Sequence, residues 1–319
     1  MNVAIIGAGS IGQLLFHDLR FSDDINPVFI DTRLPPDTPG TSYDFEYVQE
    51  ESPSALHSEN SSEKTAVKKA YQGMILPKEA AADQDLIVIT VKANQCSKVL
   101  QSLKGNLPEH IPVVLLMNGM GIWEEARTIL PNPFWTGVTS RGAVHEGRAV
   151  YPRGNGTTYI GSPEHQKPVP EIELLARTIG AVISPHIEEE QIQKLLVNAC
   201  INPLTALHQC KNREIVAAYK NEAQEIFSEI YPVLKTLGLT VFADRAFDLI
   251  LTVAEKTGEN YSSMAVDFKK QRTSELDYIL GYILKTGKRL HKHLPVTENL
   301  YAFLKNRETA FLNHHIISP

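Results

Sequence analysis

The chain begins with a short apolar run followed at once by a glycine-rich turn, and no other feature constrains the fold as strongly. Residues 2–6 (NVAII) have strand length, and residues 13–20 (QLLFHDLR) show helical spacing. The turn between them, GAGSIG, fits G-x-G-x-x-G and consists of Gly7, Ala8, Gly9, Ser10, Ile11 and Gly12. A strand–turn–helix unit of this kind predicts a Rossmann-type dinucleotide-binding domain.

Each glycine of the motif has a physical task. Gly7 permits the tight turn, Gly9 lets the backbone approach a pyrophosphate, and Gly12 lets the helix pack closely on the strand. The helix N-terminus then offers free N–H groups and a positive dipole to the phosphates. The alternative is a tight strand–helix turn that holds no ligand.

Further apolar runs alternate with helical segments through the first half of the chain. Residues 27–30, 86–91 and 113–117 are fully apolar or nearly so, which indicates a parallel sheet covered on both faces. Residues 134–161 contain short strands with Gly and Pro turns, which indicate an antiparallel edge. Residues 34–65 carry four prolines and little periodicity, so we predict a polar surface excursion there.

The second half of the chain changes character. A short helix at 171–180 and a last strand at 181–184 close the first domain, and from residue 188 only 3.6-residue periodicity remains. We therefore predict an α/β Rossmann-type domain with a mostly parallel sheet over residues 1–185. An all-α domain that carries the substrate and catalytic groups is expected over residues 186–319.

Composition excludes several classes of protein. Of 319 residues, 31 are Lys or Arg and 37 are Asp or Glu, a formal charge of −6, which gives no electrostatic footprint for nucleic acid or an anionic membrane. The apolar runs are too short to span a bilayer. Three cysteines without a CxxC pair argue against a disulfide framework or a metal site and fit a reducing compartment, so we predict a cytoplasmic protein without metal.

Two charged residues after the second strand give conflicting indications of the cofactor. Asp31 lies 19 residues after Gly12, where an acid would hold the ribose 2′-hydroxyl of NAD. Arg33 follows two residues later and could bind the 2′-phosphate of NADP instead. The third interpretation is ordinary surface charge in a loop.

Polar residues also follow two strands of the predicted sheet. Lys92 comes after the run 86–91, and Asn118 after the run 113–117. Ligands bind outside the carboxyl ends of parallel strands, so both residues are candidates for cofactor or substrate binding. A surface lysine and an Asn-Gly turn are the plain alternatives.

A lysine and two asparagines share one face of a helical stretch near residue 200. Lys194, Asn198 and Asn202 are spaced i, i+4 and i+8 among apolar neighbours, so the helix is expected to be buried. Buried polar groups are costly without partners, which favours a functional site over three groups satisfied by neighbouring loops. Pro203 lacks an N–H, so we predict that the helix kinks or ends there.

The segment NYSSMAVDFKKQRTSELDYILGYIL contains several hydroxyl and carboxyl groups. Ser262 and Ser263 could be helix caps, Ser274 resembles an N-cap, and Glu275 lies in the first turn that follows. Asp267 lies between them without a clear role. Carboxylates are common in first turns for stability alone, so these residues by themselves do not single out Glu275.

Taken in order along the chain, five segments resemble the signatures of the ketopantoate reductases, also called 2-dehydropantoate 2-reductases. The resemblance covers residues 1 to about 310, and its most specific parts are K-L-x-x-N-x-x-x-N-P-L-T-A and S-S-M-x-x-D followed by S-E-L-D-Y-I-x-G. The five segments are GAGSIG, VKA, NGMG, KLLVNACINPLTAL and NYSSMAVDFKKQRTSELDYILGYIL.

The resemblance implies NADPH-dependent reduction of 2-dehydropantoate to (R)-pantoate, on the route to pantothenate and coenzyme A. It implies that Lys194 is the general acid, and that Glu275 helps to fix this lysine and the cofactor. The other implied contacts are Asn198, Asn202 and Ser263 with the substrate, Lys92 and Asn118 at the junction of cofactor and substrate, and the backbone of Ala143 with the cofactor.

Some features depart from the pattern or leave alternatives. Asp31 is atypical of a strict NADP enzyme, and the polar excursion has no assigned role. A reductase of another branched 2-keto acid and a non-catalytic NADP(H)-binding regulatory protein are the competing interpretations. The apolar stripe around 276–284 would serve either a homodimer or the core.

Overall fold

A computed structural model describes residues 1–50, 66–154 and 156–317. The eleven strands within these residues are β1 (Asn2–Ile6), β2 (Asn26–Ile30), β3 (Thr41–Glu50), β4 (Ala66–Leu76), β5 (Leu86–Ile89), β6 (Val113–Leu116), β7 (Phe134–Thr139), β8 (Gly142–Glu146), β9 (Ala149–Arg153), β10 (Thr158–Gly161) and β11 (Val182–Ile183).

The helices of the same residues comprise four in the first half and seven in the second. The first four are α1 (Ser10–Arg20), α2 (Ala93–Leu103), α3 (Ile122–Ile129) and α4 (Pro170–Ile179), with a 3-10 helix at Lys78–Asp83. The others are α5 (Ile187–His208), α6 (Glu214–Ala217), α7 (Lys220–Thr236), α8 (Ala243–Lys256), α9 (Ser263–Lys269), α10 (Leu276–Arg289) and α11 (Pro295–Ile317).

The chain divides into two compact units. The first comprises residues 1–91, 95–117 and 123–187 and contains all the described strands. The second comprises residues 188–319 together with two short segments, 92–94 and 118–122, that follow β5 and β6. In the described part of this second unit every regular element is a helix. The predicted fold class, a mostly parallel α/β domain followed by a helical one, is confirmed.

All the described strands form one sheet, in the order β11-β10-β7-β6-β5-β1-β2-β4-β3-β9-β8. The centre is parallel: β1 pairs with β2 and β5, and β6 pairs with β5 and β7. These central strands are apolar because both faces are covered, and Val3, Ile5, Leu86 and Val88 are fully buried. Antiparallel pairs lie toward both edges, between β7 and β10, β3 and β4, and β8 and β9.

The polar surface excursion predicted at 34–65 contains a regular strand in its middle part, which its low periodicity did not indicate. Strand β3 occupies Thr41–Glu50 and pairs antiparallel with β4 in a ladder that runs from Thr41 opposite Ile75 to Glu50 opposite Ala66. The reason lies in the alternation of TSYDFEYVQE, which places Phe45 in the core at 1 % exposure beside polar neighbours. Residues 51–65 lie outside the described residues.

The helical unit has its own core. Leu196, Ile230, Ile250 and Leu304 are fully buried in it, on α5, α7, α8 and α11. The apolar stripe of α10 faces this core, with Ile279 1 % exposed and Leu280 and Ile283 fully buried. The stripe therefore packs in the core of the unit, which is one of the two uses considered for it. The other use, a homodimer interface, stays a prediction.

Helix α5 continues through its internal proline to His208, so of the two outcomes predicted at Pro203, a kink or an end, the end does not occur. Proline removes the backbone N–H that would bond the carbonyl of Ala199.

Among the helices within the described residues, none has the length and apolar character that crossing a membrane requires. The same residues hold no group of three or more His, Cys, Asp or Glu side chains arranged to bind a metal ion.

Candidate active site

The glycine-rich turn between β1 and α1 has the geometry of a nucleotide cradle. Gly7 adopts φ +116°, which a residue with a β-carbon rarely adopts. A methyl group at Gly12 would overlap the carbonyl oxygen of Gly7 and lie 2.7 Å from Thr90 Oγ1. A methyl group at Gly9 would meet nothing within 4 Å. The backbone is therefore packed on the protein side at Gly12 and open at Gly9, where a pyrophosphate would approach.

Residues outside the motif hold this turn in place. Thr90, at the end of β5, donates its hydroxyl to the Gly7 carbonyl at 2.8 Å. The buried Gln13 amide donates to the carbonyls of Ala8 and Gly147, both at 2.9 Å. The sequence did not indicate these two residues because each bonds to a segment more than 80 residues away, Thr90 to Gly7 and Gln13 to Gly147.

The β8–β9 hairpin lies beside the first turn of α1. His145 Nδ1 on β8 is 2.9 Å from Ser10 Oγ, the first residue of the helix. Ala143, which the resemblance places against the cofactor, lies two residues earlier on β8 and pairs with Pro152. The structure thus brings the strand that carries Ala143 next to the glycine-rich turn.

The two charged residues after β2 pair with each other. Arg33 donates to both carboxylate oxygens of Asp31, from Nε at 2.9 Å and from Nη2 at 2.8 Å. This hydrogen bonding lowers the pKa of Asp31 against the opposing effect of burial. The Arg33 side chain remains 86 % exposed, whereas that of Asp31 is 28 % exposed. Both carboxylate oxygens of Asp31 are thus hydrogen-bonded to Arg33, whose side chain is still largely accessible to solvent.

In the helical unit, groups from three distant parts of the sequence interact with one carboxylate, that of Glu275. Glu275 is 8 % exposed, and its Oε2 accepts a hydrogen bond from the Asn118 amide at 3.0 Å. Its Oε1 accepts from the backbone N–H of Ala93 at 3.3 Å. Burial raises the pKa of Glu275, while these hydrogen bonds and the charge of Lys194 oppose the rise.

Lys194 projects from α5 into this environment. Burial of its ammonium lowers the pKa of Lys194 to about 8, and the charge of Glu275 opposes that shift. An amine with this pKa is mostly protonated at neutral pH and gives up its proton far more readily than an unperturbed lysine, whose pKa is ~10.4. The pair thus consists of a buried ammonium and a carboxylate that favours its charged form.

Lys92 is engaged by a residue to which the sequence assigned no role. Its ammonium lies 2.6 Å from Asp267 Oδ1 on α9 and donates to the Thr273 carbonyl at 2.8 Å. Burial raises the pKa of Asp267, whereas the hydrogen bond and charge of Lys92 oppose this rise. Spacing alone could not identify the Lys92–Asp267 pair, since 175 residues separate its members.

The remaining candidates lie on α5 and at the start of α9. Asn198 is partly buried and Asn202 is 6 % exposed, both on the helix that bears Lys194. Ser262 caps α9 by accepting from the Ala265 N–H at 3.1 Å, and also accepts from the Thr205 hydroxyl at 2.7 Å. Ser263 begins α9 and is exposed. Ser262 is therefore the serine whose hydroxyl is held by structural hydrogen bonds.

Comparison with known proteins accounts for most of the chain. Residues 3–165 match the family model described as ketopantoate reductase PanE/ApbA, and residues 186–308 match the model of its C-terminal region. A 2-dehydropantoate 2-reductase of Escherichia coli O157:H7 is 32 % identical over 235 residues, which are 72 % of this chain and 76 % of that protein.

Two further relatives extend over nearly the full length. A 2-dehydropantoate 2-reductase of Listeria innocua is 27 % identical over 97 % of each chain. The solved structure of a probable 2-dehydropantoate 2-reductase from Bacillus subtilis superposes with a TM-score of 0.72 at 25 % identity, covering 96 % of this chain and 100 % of that one.

Proposed function

The chain belongs to the ketopantoate reductase PanE/ApbA family, and we propose that it catalyses the NADPH-dependent reduction of 2-dehydropantoate to (R)-pantoate. In this proposal the protein is an oxidoreductase of the pathway to pantothenate and coenzyme A. The observation that carries the proposed chemistry is the grouping of Asn118 and Glu275 with the buried ammonium of Lys194.

The glycine-rich turn fits the cofactor. Gly9 leaves open space over the backbone, whereas Gly7 and Gly12 form a tight turn in which a β-carbon would meet the protein's own atoms. Bound NADPH would supply the hydride that adds to the C2 carbonyl carbon of the keto acid. Gly7, Ala8, Gly9, Ser10, Ile11 and Gly12 would hold its pyrophosphate, with the backbone of Ala143 in contact and the Asn118 amide at the junction with the substrate.

Lys194 is the proton donor in this proposal. As the C2 carbon gains a hydride, negative charge develops on the carbonyl oxygen, which the ammonium stabilises and then protonates. The oxygen becomes the hydroxyl of the product, and Lys194 is left as a neutral amine. Glu275 favours the charged form of Lys194 before the reaction.

The substrate carboxylate requires neutral donors at fixed positions. The amides of Asn198 and Asn202 lie one and two turns beyond Lys194 on the same helix, and Ser263 begins α9. We assign these three residues to substrate binding. Lys92 would add positive charge, although its ammonium is shared with Asp267.

The test of the proposed function is the loss of NADPH absorbance on addition of 2-dehydropantoate. A panel of branched and unbranched 2-keto acids distinguishes the substrates, and we expect 2-dehydropantoate to give the highest kcat/KM. A higher value for another keto acid would support the rival reductase. Tight NADPH binding without oxidation by any keto acid would support the non-catalytic alternative.

The rate of reduction should fall with rising pH through the pKa of Lys194. This pKa is about 8, so the protonated donor is present below that value, and kcat/KM should decrease about tenfold per pH unit well above it. Glu275→Gln removes the charge that raises the pKa, so the fall should begin at lower pH. Oxidation of pantoate requires the neutral amine and should show the opposite dependence. Parallel profiles for the two directions would contradict this assignment.

Cofactor preference should depend on Arg33. Hydrogen bonds to charged groups contribute ~1.5–3 kcal/mol, so Arg33→Ala should lower kcat/KM for NADPH by ~10–10²-fold and leave NADH nearly unchanged. The Arg33–Asp31 pair favours this assignment, because Asp31 already has both carboxylate oxygens engaged.

The matched control for Arg33 is Arg20→Ala, which removes an exposed positive charge from α1 in the same unit. This variant should leave kcat/KM for both NADPH and NADH unchanged. A clear preference of the unaltered protein for NADH would instead favour the role of Asp31 as a ribose ligand.

A further inference from the structure

The C-terminal helix α11 directs three polar side chains at the segment that carries Glu275. Tyr301, Lys305 and Glu308 are spaced i, i+4 and i+7, so they lie on one face of the helix. Glu308 is only 2 % exposed. A buried carboxylate is costly unless it is fully hydrogen-bonded, so its partners identify its task.

Both carboxylate oxygens of Glu308 are used. Oε1 accepts hydrogen bonds from the backbone N–H and the hydroxyl of Ser274, each at 2.7 Å. Oε2 accepts from the Lys305 ammonium at 3.1 Å. Two charge-assisted hydrogen bonds of this length hold Ser274 to α11 from both its backbone and its side chain.

Ser274 in turn fixes the start of α10. Its hydroxyl oxygen accepts from the Leu276 N–H at 3.3 Å while its proton is directed to Glu308. Glu275 lies between these two anchored residues, at the position that precedes the helix. Its carboxylate reaches the Asn118 amide and the Ala93 N–H from that position.

The other side of Glu275 is anchored to the same helix. Asp277 Oδ1 accepts from the Tyr301 hydroxyl at 2.7 Å, and Oδ2 accepts from Lys305 at 2.7 Å. These hydrogen bonds outweigh burial and lower the pKa of Asp277. The residues flanking Glu275 are thus held by one face of α11, and the backbone of Glu275 has little freedom to shift.

We propose that Glu308 is a positioning residue for the reaction, which acts through Ser274 to hold the Glu275 carboxylate against Asn118 and near Lys194. The proposal rests on the proposed function in that Glu275 and Lys194 are taken as working groups. In this proposal Glu308 acts only through its bonds to Ser274 and Lys305 and is given no contact with substrate or cofactor. The proposal gives Ser274 a role beside Glu275, because its hydroxyl connects the segment that carries Glu275 to α11.

The test begins with Glu308→Ala, which should lower kcat/KM by ~10–10²-fold, since small displacements of a working group have effects of this size. Glu308→Gln keeps an oxygen acceptor for Ser274 and should restore most of the activity. Ser274→Ala removes the hydroxyl half of this connection, keeps the backbone N–H bond and the Glu308–Lys305 pair, and should lower kcat/KM less than Glu308→Ala does. Glu298→Gln, an exposed carboxylate on α11, is the matched control and should behave like the unaltered protein.

A coupling measurement separates positioning from general stability. In a Glu275→Gln background, Glu308→Ala should cost far less activity than in the unaltered chain, because the group that it positions is already gone. Additive losses, or a lower Tm with unchanged kcat/KM, would overturn the proposal. Equal losses for Glu308→Gln and Glu308→Ala would show that the charge near Lys305 and Asp267 matters rather than the connection to Ser274.

A second readout does not depend on turnover. The pKa of Lys194, followed by 13C NMR of labelled lysine, should fall in Glu308→Ala and Ser274→Ala as Glu275 loses its fixed position, and should stay unchanged in Glu298→Gln. If the protein reduces no keto acid but this shift occurs, the positioning role stands and the proposed function fails. If the protein is active and the pKa of Lys194 does not move, the positioning role is wrong.

Discussion

Replacement of Lys194 by alanine should lower kcat by ~10²–10⁴-fold, the usual contribution of a positioned general acid. In the proposed mechanism the variant loses both the proton and the positive charge that would stabilise the developing oxyanion, and α5 contains no other lysine to replace them. Stopped-flow loss of NADPH absorbance under saturating substrate measures the effect. Binding of NADPH, measured by calorimetry, should be retained.

The matched control is Lys235→Ala, which removes an exposed lysine from the last turn of α7. It should leave kcat unchanged. Turnover of the Lys194→Ala variant within a few-fold of the unaltered protein would remove this residue from the mechanism. A loss of NADPH binding together with a lower Tm would instead assign Lys194 a structural role.

Gly12→Ala should lower the Tm of the protein without cofactor, whereas Gly9→Ala should leave it unchanged. At Gly12 the added methyl group would overlap the carbonyl of Gly7. Such overpacking costs ~3 kcal/mol, a fall in Tm of ~6–12 °C. At Gly9 the methyl group meets nothing within 4 Å, so Tm should be unchanged.

Cofactor binding should distinguish the same two variants in another way. The methyl group of Gly9→Ala would occupy the space through which the pyrophosphate approaches, so Kd for NADPH should rise by ~10–10²-fold. The two variants serve as controls for each other, with Tm measured by thermal unfolding and Kd by calorimetry. Unchanged NADPH binding by Gly9→Ala would place the pyrophosphate elsewhere.

The centre of the fold could be predicted because its signals are local. The apolar runs at 2–6, 86–91 and 113–117 correspond to β1, β5 and β6, and the helix ending at Gly180 corresponds to α4, whose C-cap glycine has φ +66°. A fully buried parallel strand must be apolar throughout, and a left-handed C-cap favours glycine. Such requirements can be read from a few consecutive residues.

The edges of the sheet could not be predicted in the same way. Strand β3 is half polar and follows six residues (35–40) that include three prolines, so its composition suggested a loop. Its place between β4 and β9 depends on pairing with strands that are far away in the sequence. The alternation of Tyr43, Phe45 and Tyr47 was the available signal.

Within the candidate site, residue types were easier to predict than partners. The helical spacing of Lys194, Asn198 and Asn202 and the resemblance of the serine–glutamate segment selected residues that the structure places in one unit. The partners Asp267 and Glu308 were not selected, because a buried charge finds its counterpart through tertiary contacts. The sequence shows that a buried lysine needs a partner but not which carboxylate provides it.

The two short segments 92–94 and 118–122, which follow β5 and β6, belong with the helical unit, and this limits where the chain can be recombined. The Met120 N–H donates to the Tyr278 carbonyl at 3.0 Å, and Ala93 and Asn118 bond to Glu275. A chimera with a single crossover near residue 186 would give Glu275 foreign counterparts at both segments. Breakpoints that transfer these two loops together with the C-terminal half would preserve the inherited contacts, so swaps of substrate preference between homologues should be designed as three-piece grafts.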